Sequence, residues 1–111
     1  MADRLVVILA SGDPRVVEAG LMYARNAVKH RWMKEVKLFL FGPAESAVAS
    51  EPTLRKAIEA VLDEGITPMA CKACSDKDSV SDALADLGCD VAYVGEPISE
   101  AIRDGCIPMV W

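Results

Sequence analysis

The most reactive groups in the sequence are two cysteines, Cys71 and Cys74, in a Cys-x-x-Cys segment. The thiolate form of cysteine is both a nucleophile and a metal ligand. The segment follows an apolar run and precedes a helical pattern. Cys71 is therefore expected at a strand end beside a helix N-terminus, where partial positive charge favours a thiolate. This placement predicts Cys71 and Cys74 as the catalytic residues.

Charges near Cys71 act in both directions. Lys72 and Lys77 favour its thiolate, whereas Asp76 and Asp78 disfavour it, so the direction of the thiol pKa shift stays open. Simple burial in the core is the alternative for any free cysteine, because this residue type is among the most often buried. A Cys-x-x-Cys segment at the carboxyl end of a strand instead favours a reactive role for Cys71.

The other two cysteines, Cys89 and Cys106, precede their predicted strands and are expected at the opposite edge of the sheet. A strand of five residues separates the two edges by roughly 16 Å at about 3.3 Å per residue. A zinc site of four cysteines is not expected, because the second pair cannot reach the first. The sequence predicts no metal and no cofactor.

Backbone and charged groups near the same strand ends are candidates for binding an anion. Gly12 and Asp13 follow the first strand, where amide groups at a helix N-terminus can bind an anion, although they serve equally as an ordinary helix cap. Gly95 follows the fourth strand. Together with Lys72 and Lys77, these residues form the predicted binding set.

Apolar runs alternate with helical patterns along the chain. Helices are expected from Pro14, from Ser50 to Gly65, from Ser79 to Gly88 and over Pro97–Asp104. Lys72–Asp78 is expected to be a polar loop, and Ser79 with Asp82 resembles a capping box. The β-type runs are Leu5–Leu9, Val36–Phe41, Ile66–Cys71, Val91–Val94 and Ile107–Trp111.

This alternation predicts the fold class. Right-handed crossovers between the runs give a three-layer α/β/α sandwich with a five-stranded parallel sheet, in one domain over residues 1–111. Proline cannot donate to a strand ladder, and Pro68 and Pro108 lie in the third and fifth runs. These two strands are therefore expected at the edges, in the order 3-2-1-4-5. Ligands bind at the carboxyl ends of such strands, where Cys71 lies.

Composition restricts the partners. The 111 residues include 12 Lys and Arg against 17 Asp and Glu, a net charge of -5, which argues against a nucleic-acid partner. No apolar run approaches the ~20 residues of a membrane span, and Leu5–Ala10 is too short for a signal sequence. We therefore expect a cytoplasmic protein. The 52% apolar content exceeds what one small core absorbs, which favours a homo-oligomer.

Three segments, in this order, carry a resemblance to a known family. They are the apolar first strand with a helix rich in small residues, the Gly65–Cys71 strand that ends in cysteine, and the Gly95–Gly105 segment that leads to Val110 and Trp111. Over nearly its whole length the chain resembles the DsrE/DsrF-like family of small α/β proteins.

The resemblance implies a DsrEFH-like fold and a role in sulfur relay. Cys71 would accept sulfane sulfur as a persulfide and pass it to a partner protein, and Cys74 matches a second cysteine of some relatives. The resemblance also implies a dimer, trimer or hexamer, with donor and acceptor proteins as partners. Many relatives follow the cysteine with an Arg-Gly pair, whereas this chain has Ser75–Ser79, in which Lys77 supplies the positive charge.

Two other functions remain open from the sequence. Cys71 and Cys74 could form a dithiol–disulfide switch, although they follow the third strand rather than the first. Alternatively, the same edge could bind a small anion or nucleotide without catalysis, with Cys71 incidental, because a fold does not determine a function. A response-regulator receiver is disfavoured, because the third strand ends in cysteine rather than a phosphoacceptor aspartate.

Overall fold

The computed structural model describes residues 2–111 and contains one parallel sheet in the order β4-β3-β2-β1-β5. Helices connect the strands, which confirms the predicted three-layer α/β class. The strands are β1 (Arg4–Leu9), β2 (Glu35–Leu40), β3 (Met69–Cys71), β4 (Asp90–Ala92) and β5 (Ile107–Val110).

The helices differ in length and in the face of the sheet that they cover. Within residues 2–111, none combines the length and apolar character needed to cross a bilayer. They are α1 (Pro14–Lys29), α2 (Pro43–Ser50), α3 (Pro52–Asp63), α4 (Lys72–Lys77), α5 (Ser81–Leu87) and α6 (Gly95–Arg103).

The predicted strand order is wrong for β3, which lies between β2 and β4 rather than at an edge, and for β4, which is an edge strand rather than lying between β1 and β5. Pro68 stands one residue before β3, so its missing N–H is not needed in the ladder. Its carbonyl oxygen accepts a hydrogen bond from the Asp90 amide at 2.8 Å. β5 is an edge strand as predicted and pairs with β1 alone, which accommodates Pro108.

The segments around the third strand also differ from prediction. The expected polar loop Lys72–Asp78 forms α4 over most of its length, and β3 is shorter than the apolar run. The expected capping box is absent, because Ser79 adopts a left-handed conformation with φ of 59° and Val80 takes the N-cap position of α5 without a side-chain hydrogen bond. These differences give Cys71 a helix directly after it.

An unpredicted short helix, α2, follows β2. Gly42, with φ of 61°, turns the chain out of the strand, and Pro43 occupies the first helical turn, where its missing N–H costs nothing. Ala44, Ala47 and Val48 are buried in the core. The helix therefore lies at the carboxyl edge of the sheet, by which we mean the edge where the strands end, and its last residues still border the start of α1.

The two faces of the sheet have separate cores. Leu5, Val7 and Leu9 of β1 point into the larger cluster, which is completed by α1, α2, α3 and α5. Val6 and Ile8 point to the opposite face, as the alternation of a strand requires. The smaller cluster there includes residues from the ends of β3 and from α6.

The N-terminus of α1 lies at the carboxyl edge. Asp13 is its N-cap, with a side-chain oxygen that accepts from the Arg15 amide at 2.9 Å, and Pro14 follows as predicted. Gly20 lies against Leu9 and Trp111, where a Cβ would come within 3.0 Å of the indole Cγ. The absence of a side chain at Gly20 therefore lets α1 approach the ends of β1 and β5 closely.

Candidate functional site

The structure brings three side chains together at the carboxyl edge. Donor atoms of Glu45, Cys71 and Cys74 all lie within 4.8 Å of one another, and both cysteines are free thiols. We call these three residues the sulfur–carboxylate cluster. Each comes from a different element: α2 supplies Glu45, β3 ends at Cys71, and α4 supplies Cys74.

The two thiols differ in exposure. Cys71 is 6% exposed and belongs to the smaller apolar cluster, whereas Cys74 is only partly buried and packs against that cluster. Cys71 is the N-cap of α4, and Cys74 lies one turn further along. The predicted pair therefore forms one group with a covered member and a more accessible member.

Glu45 is the member of the cluster that the sequence reasoning missed. Its side chain is fully buried, and neither carboxylate oxygen has a hydrogen-bond partner within residues 2–111. The available signal was an acidic residue beside Ala44, Ala47 and Val48, in a short segment at a strand's carboxyl end. Recognising it required α2, because an acidic residue in a loop would be expected in solvent.

Burial changes the protonation of Glu45. It raises the pKa of this carboxyl to about 7, and the negative charge of Asp78 acts in the same direction. Hydrogen-bonding interactions with the Cys74 side chain and the Gly42 backbone lower this pKa, but neither reaches the geometry of a full hydrogen bond to a carboxylate oxygen. The cluster therefore contains a carboxyl that can accept or release a proton near neutral pH.

Cys74 is held mainly as a thiol. Burial raises its pKa, and a hydrogen bond with the Cys71 side chain and the charge on Glu45 act in the same direction. The neighbouring carboxyl disfavours a second negative charge unless a proton or a cation compensates for it. Activation of this thiol therefore requires a group that removes or replaces its proton.

The predicted cationic residues do not contact the thiols. The Lys72 ammonium lies 2.7 Å from the Asp76 carboxylate, one helical turn away, and this contact lowers the pKa of Asp76. Lys77 is exposed in the last turn of α4. The charge of Lys72 is thus engaged by Asp76 rather than by a thiolate.

A polar network links α4 to α5. The Ser81 hydroxyl donates to Asp76 at 2.5 Å, and it is also 2.7 Å from the hydroxyl of Ser75, which is fully buried. The Ser75 hydroxyl also lies 3.3 Å from the Lys72 carbonyl oxygen, so its single hydrogen donates either to that oxygen or to Ser81. The network holds the start of α4, and hence the Cys-x-x-Cys segment, in place.

Gly12 is the one member of the predicted binding set that lines an acidic cleft within residues 2–111. Gly12 packs on Pro43, where a Cβ would come within 3.0 Å of the proline Cβ, and it borders a cleft of about 560 Å³ between α1 and α2. The charged residues that line this cleft are Glu51 and Asp78. Their negative charge disfavours an anion and favours a cation.

Two other predicted binding residues have separate positions. Asp13 is exposed and uses its side chain to cap α1. Gly95 begins α6 and lies outside both the cleft lining and the sulfur–carboxylate cluster. The structure therefore does not unite the predicted binding set at one site.

The remaining cysteines lie apart from the cluster. Cys89 and Cys106 directly precede β4 and β5, at the amino ends of the strands, and both are buried. Burial raises the pKa of Cys89 to about 11, and the charge on Glu45 acts in the same direction. Neither joins the three-residue group around Cys71 within residues 2–111.

Comparisons with known proteins identify the fold. No protein-family profile and no curated protein sequence matches this chain. A solved structure of BT1422 from Bacteroides thetaiotaomicron, a protein of unknown function, has a TM-score of 0.90 and 27% identity, covering 98% of this chain and 95% of that one. The YchN protein from E. coli has a TM-score of 0.74 and 17% identity, covering 97% and 99%. The likeness to YchN concerns the fold alone.

Proposed function

We propose that the protein is a sulfur carrier, in which Cys71 accepts sulfane sulfur as a persulfide and passes it to a partner protein. The observation that carries this proposal is the grouping of two free thiols and an unpartnered carboxyl within 4.8 Å at the carboxyl edge. The fold shared with YchN, which is DsrE-like, also supports it.

The loading step is a displacement at sulfur. The Cys71 thiolate attacks the outer sulfur of a donor persulfide, the donor's sulfur–sulfur bond breaks, and the donor cysteine leaves as a thiolate. The ionised carboxylate of Glu45 takes the proton that Cys71 loses, because its pKa is about 7. No external oxidant or reductant is needed, since the sulfane sulfur moves without a net redox change.

The release step reverses the roles. A thiolate of the acceptor protein attacks the outer sulfur, the bond between that sulfur and Cys71 breaks, and Cys71 leaves as a thiolate. Glu45 returns a proton to it. Cys74 provides a second outcome, because its attack on the inner sulfur forms a Cys71–Cys74 disulfide and releases hydrosulfide.

Mass spectrometry tests the carrier function. Reduced, chelator-treated protein is incubated with polysulfide, and we expect an adduct of one sulfur atom, about 32 Da, on Cys71. Cys71→Ser should lose the adduct, whereas the matched control Cys106→Ala should keep it. The proposal is wrong if no adduct forms while a known carrier is labelled in parallel, or if the Cys71→Ser protein is labelled to the same extent.

The proximity of the two thiols also favours a second candidate, a dithiol–disulfide switch. Cys71 and Cys74 have donor atoms within 4.8 Å and a three-residue spacing that allows a disulfide across one helical turn. Titration in glutathione buffers should then show reversible formation of this disulfide near cellular redox potentials. Absence of the disulfide under mild oxidant contradicts the switch and leaves the carrier proposal standing.

We also propose that the chain self-associates through the region around β5. Ile107 and Val110 on this edge strand are 43% and 65% exposed, and Ile102 of the adjacent α6 is 45% exposed. Exposed apolar groups on an unpaired strand edge favour association. Sedimentation equilibrium should give a multiple of the single-chain mass, which Val110→Lys should reduce. A single-chain mass for the unmodified protein contradicts this proposal.

A further inference from the structure

The sulfur–carboxylate cluster has the donor atoms of a zinc site. Thiolate sulfur and carboxylate oxygen are both common zinc ligands, and zinc sites with three protein ligands leave one coordination position open. We propose that Glu45, Cys71 and Cys74 bind one Zn²⁺ ion with an open fourth position. This inference does not depend on sulfur transfer.

The geometry suits tetrahedral coordination. Zinc lies about 2.3 Å from sulfur and about 2.0–2.2 Å from oxygen, so two sulfurs and one oxygen in a tetrahedral site are roughly 3.5–3.8 Å apart. The three donor atoms already lie within 4.8 Å of one another. Small side-chain rotations therefore suffice. Two residues, Lys72 and Ala73, separate Cys71 from Cys74, which is a usual spacing for paired zinc ligands.

Glu45 provides an independent reason for a ligand at this position. Its carboxylate is fully buried within reach of both thiols, and neither oxygen has a hydrogen-bond partner within residues 2–111. A buried carboxylate is normally hydrogen-bonded, paired with a cation or bound to a metal. Lys72 does not serve as the cation, because it is engaged by Asp76 at 2.7 Å.

The charge around the cluster also favours a cation. Asp78 acts on Glu45 through its negative charge, and with Glu51 it lines the adjacent cleft. A divalent ion offsets two of the three negative charges that the carboxylate and both thiolates carry, which neither a proton nor a single lysine can do. Two sulfur ligands select zinc over magnesium and calcium, which prefer oxygen.

Zinc binding would change the chemistry of the thiols. As ligands, Cys71 and Cys74 would both be thiolates, and their sulfur lone pairs would be directed to the metal. Zn²⁺ and sulfane sulfur would then compete for Cys71. The open fourth position would be available to water or to the thiol of another molecule.

The test uses the reduced, chelator-stripped protein without any sulfur donor. Competition against a chromophoric chelator should show one Zn²⁺ per chain, and Co²⁺ should give the sulfur-to-cobalt charge-transfer absorption of a tetrahedral thiolate site. Changes around a metal ligand typically cost 10–100-fold in affinity, so removal of a ligand by Glu45→Gln or Cys74→Ser should cost at least about 100-fold. Glu59→Gln, which removes an exposed carboxyl of α3, and Cys106→Ala are the matched controls and should bind as the unmodified protein does.

Each outcome decides the proposal. Absence of the charge-transfer absorption in the unmodified protein overturns it without reference to any variant. Unchanged affinity in a folded Glu45→Gln protein, verified by circular dichroism, also overturns it, because the ion would then be held by the thiols alone. Zinc binding without sulfur loading would remove the carrier function and keep the metal site. Sulfur loading without zinc binding would support the carrier function and overturn the metal site.

Discussion

The two pairs of cysteines in this chain have opposite environments. Cys71 and Cys74 follow the end of a strand, where the chain continues into α4 and meets Glu45 of α2. Cys89 and Cys106 precede strands and are buried to about the same extent as Cys71, but neither joins the sulfur–carboxylate cluster within residues 2–111. In the part of the chain that the structure describes, only the first pair lies within 4.8 Å of the Glu45 donor atom, although the charge of Glu45 also acts on Cys89.

The electrostatic difference between the pairs follows from these positions. Burial raises the pKa of Cys89 to about 11, so its thiol stays protonated at neutral pH. Beside Cys71 and Cys74, by contrast, lies a carboxyl whose pKa is about 7. The first pair therefore has a proton acceptor and a possible metal ligand, which makes it the functional candidate.

Thiol labelling should show the largest difference. We expect Cys74 to react with iodoacetamide in the native protein at least about 1000-fold faster than Cys89 or Cys106, because buried groups react only through openings that cost several kcal/mol. Time courses with peptide mapping measure the rates, and denaturant should make the four cysteines similar. Comparable native labelling of Cys89 or Cys106 would remove the distinction between the pairs.

Replacement of Glu45 should change the pH dependence of stability. The folded carboxyl keeps its proton up to a pH of about 7, whereas the unfolded one releases it above about 4.5. Between these values the unfolded state binds fewer protons, so stability falls as pH rises. We expect the unmodified protein to lose about 3 kcal/mol between pH 5 and pH 8, and Glu45→Gln to lose much less.

Urea unfolding in the presence of a chelator measures this effect. Asp76, whose pKa is lowered, stays ionised throughout this pH range and does not contribute to the slope. Glu51→Gln, which removes an exposed carboxyl beside the same cleft, is the control and should retain the slope. An unchanged slope in Glu45→Gln would show that Glu45 is not the buried acid.

Replacement of Lys72 should have the smallest effect. Its ammonium pairs with Asp76 on the exposed side of α4, and exposed ion pairs are worth about 1 kcal/mol or less. We expect Lys72→Met to change the labelling rate of Cys74 by less than about threefold. A larger fall would restore the sequence-based expectation that Lys72 activates the thiol pair. Lys77→Met is the matched exposed control.

The fold class could be predicted because it depends on local patterns. The run Leu5–Leu9 is apolar along its whole length, since both faces of β1 are covered, and Asp13 with Pro14 marks the start of α1. The order of the strands could not be predicted in the same way. Pro68 lies close to a strand in both the edge and the central arrangement, and only the pairing of β3 with β2 and β4 distinguishes them.

The same distinction between local sequence pattern and tertiary packing applies to Cys71, Cys74 and Glu45. Cys71 and Cys74 can be recognised in the sequence as a candidate reactive pair, because they are three positions apart and follow an apolar run. Glu45 lies 26 positions before Cys71 and belongs to a helix that the local pattern did not reveal. Its burial, its lack of a hydrogen-bond partner and its raised pKa arise only when α2, β3 and α4 pack together, because desolvation depends on neighbours that the chain order does not specify.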